Sequence, residues 1–87
     1  MRHARADDLL AYAALLDELR AVDGLKERTV GSFYRRGSGF LHFHVDGDRL
    51  LADVKVGGNW QRLPASTARE RRALVRLARR VAREGPS

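Results

Sequence analysis

Residues Gly39 to Val56, GFLHFHVDGDRLLADVKV, leave this chain few choices of fold. Read with period two, Leu41, Phe43 and Val45 share one face of an extended segment, while Phe40, His42 and His44 share the other. The second half repeats the pattern. Leu50, Ala52, Val54 and Val56 fall on one face; Arg49, Leu51, Asp53 and Lys55 fall on the opposite one. Asp46-Gly47-Asp48 separates the halves, and Asp-Gly tolerates the positive φ of a tight hairpin. A slip of one residue would turn a whole apolar set toward water. Two registers keep the apolar sets together. A two-residue loop at Asp46-Gly47 sets His42 opposite Leu51, and a four-residue loop from Asp46 to Arg49 sets His42 opposite Asp53.

One face of this hairpin is a core face. The other carries Phe40, His42, His44, Leu51, Asp53 and Lys55, too apolar for ordinary solvent surface and too polar for ordinary core.

The flanking segments supply a second layer. Leu9, Tyr12, Ala13, Leu16 and Leu19 recur at helical spacing behind Asp7 and Asp8, which suit a helix start. This predicts a helix from about Asp7 to Val22, with Gly24 at its left-handed C′ position. Lys26 to Arg28 reads as a connector, and Thr29 to Arg35 as a strand. Arg35-Arg36-Gly37-Ser38-Gly39 reads as a hairpin turn that could also offer two guanidinium groups and backbone N–H groups to phosphate. Gly57-Gly58-Asn59 is a further turn, and Trp60 to Leu63 a last strand stopped by Pro64. Thr67-Ala68-Arg69-Glu70 is a capping box opening a helix expected to end at Gly85-Pro86. Its apolar stripe is Leu74, Leu77, Ala78 and Val81. The expected fold is α+β: helix, four-stranded antiparallel meander, C-terminal helix, in two layers, with both helices on the Leu41/Phe43/Leu50/Val54 face. Residues 1–87 are read as a single domain, and 1–5 as a flexible tail in which His3 has no ligand role.

Composition bounds the chemistry. With no cysteine there is no disulfide framework and no thiolate metal site. No apolar run reaches the ~18 residues of a membrane span, and no signal-peptide pattern opens the chain. A cytoplasmic protein without membrane association is expected. The net charge of +6 is uneven: −2 over residues 1–24, +3 over 25–65 and +5 over 66–87. Arginine supplies fifteen of the seventeen basic residues, a bias that GC-rich codon usage also produces.

Two surfaces carry the functional expectations. On the last helix, Arg69, Arg72, Arg76, Arg79, Arg80 and Arg83 fall within about 100° of one another, opposite the apolar stripe. With Arg35 and Arg36 they make a candidate nucleic-acid-binding ridge, non-specific because guanidinium reads phosphate. The hairpin's mixed face is the second surface. Phe40, His42, His44 and Leu51 make a candidate interface for a homodimer or a protein partner. His42-x-His44 places two imidazoles on one side of a strand, and Asp53 faces them in one register, so the three are candidates for a metal site or an acid/base set. No catalytic residue is assigned, no cofactor is expected, and a binding module is favoured over an enzyme.

The helix, antiparallel sheet, helix order resembles the topology of double-stranded RNA-binding domains. This chain counts one strand more and has Ser66-Thr67-Ala68-Arg69 where those domains carry a Lys-rich helix start. The block FLHFHVD, LLADVK and WQRLP, within residues 32–64, resembles one found in small uncharacterised bacterial proteins, and that resemblance implies no activity.

Overall fold

A computed structural model describes residues 1–84 of the chain. Its element order is β1 (Arg2–His3), a short 3-10 helix (Asp7–Tyr12), α1 (Ala13–Arg20), β2 (Leu25–Thr29), β3 (Ser32–Arg35), β4 (Ser38–Asp46), β5 (Arg49–Val56), β6 (Asn59–Pro64) and α2 (Ala68–Ala82). The α+β class and the antiparallel sheet match the expectation, but the sheet has six strands rather than four. Strands β2 to β6 run as a meander, and β1 pairs with β4 outside that path.

The two additional strands lack the pattern that reveals strands in sequence. Strand β2, LKERT, lies at the sheet edge and has one partner, β3. An edge strand tolerates charged residues, which also discourage pairing with another chain. The expected connector Lys26–Arg28 is therefore strand, and the turn at Val30-Gly31 splits the expected Thr29–Arg35 strand. Strand β1 has only two residues. It is held because β3 covers only part of the β4 edge: Arg2 pairs with Val45, His3 with His44, and the Ala4 N–H donates to the Phe43 carbonyl at 3.0 Å.

The expected single helix from Asp7 to Val22 is two pieces. Leu9, Tyr12 and Leu15 are three apart, the period of a 3-10 turn. The chain follows that tighter spiral to Tyr12 and resumes as α1, burying Leu15, Leu16 and Leu19. Helix α1 ends at Arg20, so Gly24, at φ +93°, serves the following turn instead of the C′ position.

The β4–β5 register sets His42 opposite Asp53 and His44 opposite Leu51, with Asp46 pairing Arg49 across Gly47-Asp48. Between β3 and β4 the register shifts. Phe33 pairs with Leu41 and Tyr34 with Gly39, leaving Phe40 as an extra residue. Such a bulge turns consecutive side chains toward one face. Phe40, expected beside the histidines, is instead 2 % exposed within the core.

That core lies between the sheet and the helices. Leu41, Phe43, Leu50, Ala52 and Val54 from the sheet meet Leu9 from the 3-10 helix, Leu16 and Leu19 from α1, and Leu74, Val75, Ala78 and Val81 from α2. Val75 joins the α2 stripe, and Leu77 is only partly buried. The Thr67 capping box forms in full: the Thr67 hydroxyl accepts from the Glu70 N–H, and the Glu70 carboxylate accepts from the Thr67 N–H. The described helix ends at Ala82; the Gly85-Pro86 stop lies outside the described residues.

Candidate histidine centre and arginine face

The helices cover one face of the sheet, and the opposite face is built in rows across the strands. The first row runs His3, His44, Leu51, Pro64; the second His42, Asp53, Arg62; the third Lys55, Trp60. Pairing of β1 with β4 thus delivers a third histidine that sequence pattern gives no reason to place here. His3 is too close to the terminus for any periodicity, and its position depends on a strand of two residues. Every histidine in the chain stands on this face. The ring centroids of His3 and His44 are 4.3 Å apart, those of His42 and His44 5.1 Å, and those of His3 and His42 5.6 Å. One nitrogen from each imidazole lies within 4.8 Å of the others.

Asp53 binds this group together. Arg62 clamps its carboxylate through two hydrogen bonds, Nε to Oδ1 at 2.8 Å and Nη2 to Oδ2 at 3.0 Å. The Oδ2 atom also lies 3.4 Å from His42 Nε2 and 3.3 Å from His44 Nδ1. Hydrogen bonding to Arg62 holds the Asp53 carboxyl below its ordinary range, so it is ionised at neutral pH. Burial pushes the pKa values of His42 and His44 down and outweighs the attraction of Asp53. Both imidazoles are therefore neutral at neutral pH, with lone pairs available. His44 Nδ1 is buried and has no hydrogen-bond partner among the described residues.

Of the expected interface residues, Phe40 is removed by the bulge, and Leu51 is covered within the chain to 7 % exposure. The apolar anchors of a sheet-face dimer are thus largely spent internally. Trp60 is left at 48 % exposure, with the His42 ring edge-on to it at 4.9 Å.

The arginine face lies on the helical layer. Arg69, Arg72, Arg76, Arg79, Arg80 and Arg83 are all exposed. None forms an ion pair with a carboxylate among the described residues. Arg71 is directed inward. It donates to the Ser66 carbonyl, and its guanidinium lies 5.6 Å from the Tyr12 ring centroid. At the far end of α2, Arg35 Nη2 donates to the Glu84 carbonyl at 2.6 Å, with Arg36 beside it at 3.5 Å. Arg35, Arg36, Lys55 and Gly57-Gly58 line a hollow of about 390 Å³ there. The β3–β4 turn therefore continues the basic surface past the end of the helix.

No described helix is long and apolar enough to cross a membrane. Comparison with protein-family models, with curated proteins and with solved structures finds no match to this chain.

Proposed function

We propose that this protein is a binding module for nucleic acid, engaging the phosphate backbone through α2 and the β3–β4 turn without sequence preference. The carrying observation is the set of six exposed arginines, five on α2 and Arg83 at its C-cap, with no carboxylate partner among the described residues. The chain's other cations are partly committed: Arg2 to Asp8, Arg20 to Glu27 and Arg62 to Asp53. Fifteen helical residues at 1.5 Å each span about 22 Å. Duplex DNA carries a charge about every 1.7 Å of axis, so a ridge of that length faces many phosphates. Guanidinium meets phosphate bidentately and stays charged at every physiological pH.

A bilayer surface fits this helix less well. Interfacial helices bury an apolar face among lipids, and Leu74, Val75, Ala78 and Val81 are already buried in the core. Arg36 supports the reading independently. It stands at φ +54°, a left-handed conformation that disfavours an arginine. Residues held in such conformations concentrate at functional sites.

Binding of fluorescent duplex DNA, duplex RNA and single strands across a salt series tests the proposal. The expected result is affinity that falls steeply with salt, by about 0.9 log units per phosphate contact per log unit of salt on duplex DNA. Arg76→Glu/Arg80→Glu should weaken binding by at least about tenfold at low salt. Absence of binding at low salt, or binding that this variant leaves intact, would overturn it.

A further inference from the structure

The arginine face leaves the opposite side of the sheet unexplained, and that side holds a constellation of a different chemistry. We propose that His3, His42 and His44 form a binding site for a divalent transition-metal ion of the zinc type, with Asp53 as the carboxylate that orients the two β4 histidines.

Three observations carry this. The first is convergence. The chain has three histidines, one near its start and two in its middle, and strand pairing brings all three to one spot, with a nitrogen of each within 4.8 Å of the others. Zinc–nitrogen bonds of about 2.0–2.1 Å place tetrahedral ligand atoms about 3.4 Å apart. The group therefore needs to contract by at most about 1.4 Å. Rotation of the exposed His3 ring supplies movement of that size.

The second is the carboxylate. Metal-binding histidines commonly donate their non-ligating ring nitrogen to a carboxylate, which fixes the ring and raises its basicity. Asp53 Oδ2 stands 3.4 Å from His42 Nε2 and 3.3 Å from the buried His44 Nδ1, and Arg62 fixes it in turn. The third is charge. The Arg62 cation is matched by Asp53, and the Lys55 ammonium is directed over the Trp60 ring, 5.8 Å from its centroid.

Three imidazole ligands select a borderline ion such as Zn²⁺ over Mg²⁺ or Ca²⁺, which take oxygen ligands. Three protein ligands leave the fourth zinc position for water or a small anion.

The test is titration of the chelator-stripped full chain with Zn²⁺ against a chromophoric competitor, with Co²⁺ as a spectroscopic substitute. The expected result is one equivalent bound, the intense visible absorption of tetrahedral Co²⁺, and a rise in melting temperature with Zn²⁺. His3→Ala is the decisive variant, because His3 is exposed and its loss leaves the core intact. It should weaken Zn²⁺ binding by at least about 100-fold, and Asp53→Asn by about 10–100-fold. Mg²⁺ should produce no shift. Absence of stoichiometric binding by the wild-type chain, or affinity unchanged in a His3→Ala protein of native circular dichroism, would overturn the site. Nucleic-acid binding by this variant should match wild type, so the two proposals fail separately.

Discussion

His3 stands directly opposite His44 across the β1–β4 pair, with their rings 4.3 Å apart between centroids. The relationship makes the first residues of the chain part of the sheet. It is supported from outside the strand as well: Arg2 binds Asp8 through two hydrogen bonds of 2.7 and 2.9 Å, and Asp8 also accepts from the Arg5 N–H. The opening residues are thus tied to β4 on one side and to the 3-10 helix on the other.

Deleting residues 1–4 should therefore cost stability. The deletion removes the ladder bonds to β4 and the Arg2–Asp8 pair, each worth about 0.5–1.5 kcal/mol net. A loss of about 1–3 kcal/mol in chemical denaturation is expected. Hydrogen exchange should also accelerate at Val45, whose N–H faces β1, while His44, whose N–H faces β5, stays protected. Unchanged exchange at Val45 would show that β1 does not hold the edge in solution.

Phe40 gives a sharper test of the bulge. Its neighbours on the alternation, His42 and His44, are on the open face, yet Phe40 is 2 % exposed among core residues. Truncating a buried phenylalanine costs about 3–5 kcal/mol. Phe40→Ala should fall in that range, while Leu10→Ala, at a position 76 % exposed, should change stability by less than about 0.5 kcal/mol. If the two variants had equal, small effects, Phe40 would be on the surface as strict alternation demands.

These cases show what the sequence makes legible. The β4–β5 hairpin, the Thr67 cap and the inner and outer faces of α2 are readable because each depends on local chemistry or a sustained period. Strand β2 carries almost no apolar residue, and β1 is too short for any period; both exist because β3 and β4 offer backbone edges, which sequence does not display. The site divides the same way. His42 and His44 are visible as i, i+2 neighbours, and Asp53 follows once the register is chosen. His3 depends on a long-range pairing, so no local pattern announces it. The bulge at Phe40 removes one residue from a face that simple alternation assigns it.

Acid should act on the junction of α1 with the β2–β3 turn. Burial raises the Glu27 pKa, but the Arg20 guanidinium and the Gly31 N–H outweigh it and hold the carboxyl below its ordinary 4.5. A carboxylate whose pKa is lower in the folded state binds fewer protons there than in the unfolded chain. Its stabilisation is complete above pH 4.5 and disappears as the pH falls through the folded value. Wild type should therefore lose stability below pH 4.5, and Glu27→Gln should lose less over the same interval while being weaker at pH 7. Parallel pH profiles for the two proteins would rule out this carboxylate as an acid-sensitive element.

Arg36 links local strain to the proposed function. Residues 36 and 37 form a two-residue turn between the paired Arg35 and Ser38, with φ of +54° and +80°. Both central positions are left-handed, the geometry for which Asn-Gly is the favoured pair. An arginine there costs about 1 kcal/mol relative to a residue at ease in that region. Its guanidinium is directed to the end of α2, 3.5 Å from the Glu84 carbonyl and next to Arg35. Arg36→Asn should then move two quantities in opposite directions. Stability should rise by about 0.5–1 kcal/mol as the strain is relieved. Duplex affinity at low salt should fall, and the salt slope should drop by about one contact. Gained stability with unchanged affinity would confine the binding surface to α2. Lost stability would mean that the Arg36 side chain contributes more to the turn than its backbone strain costs.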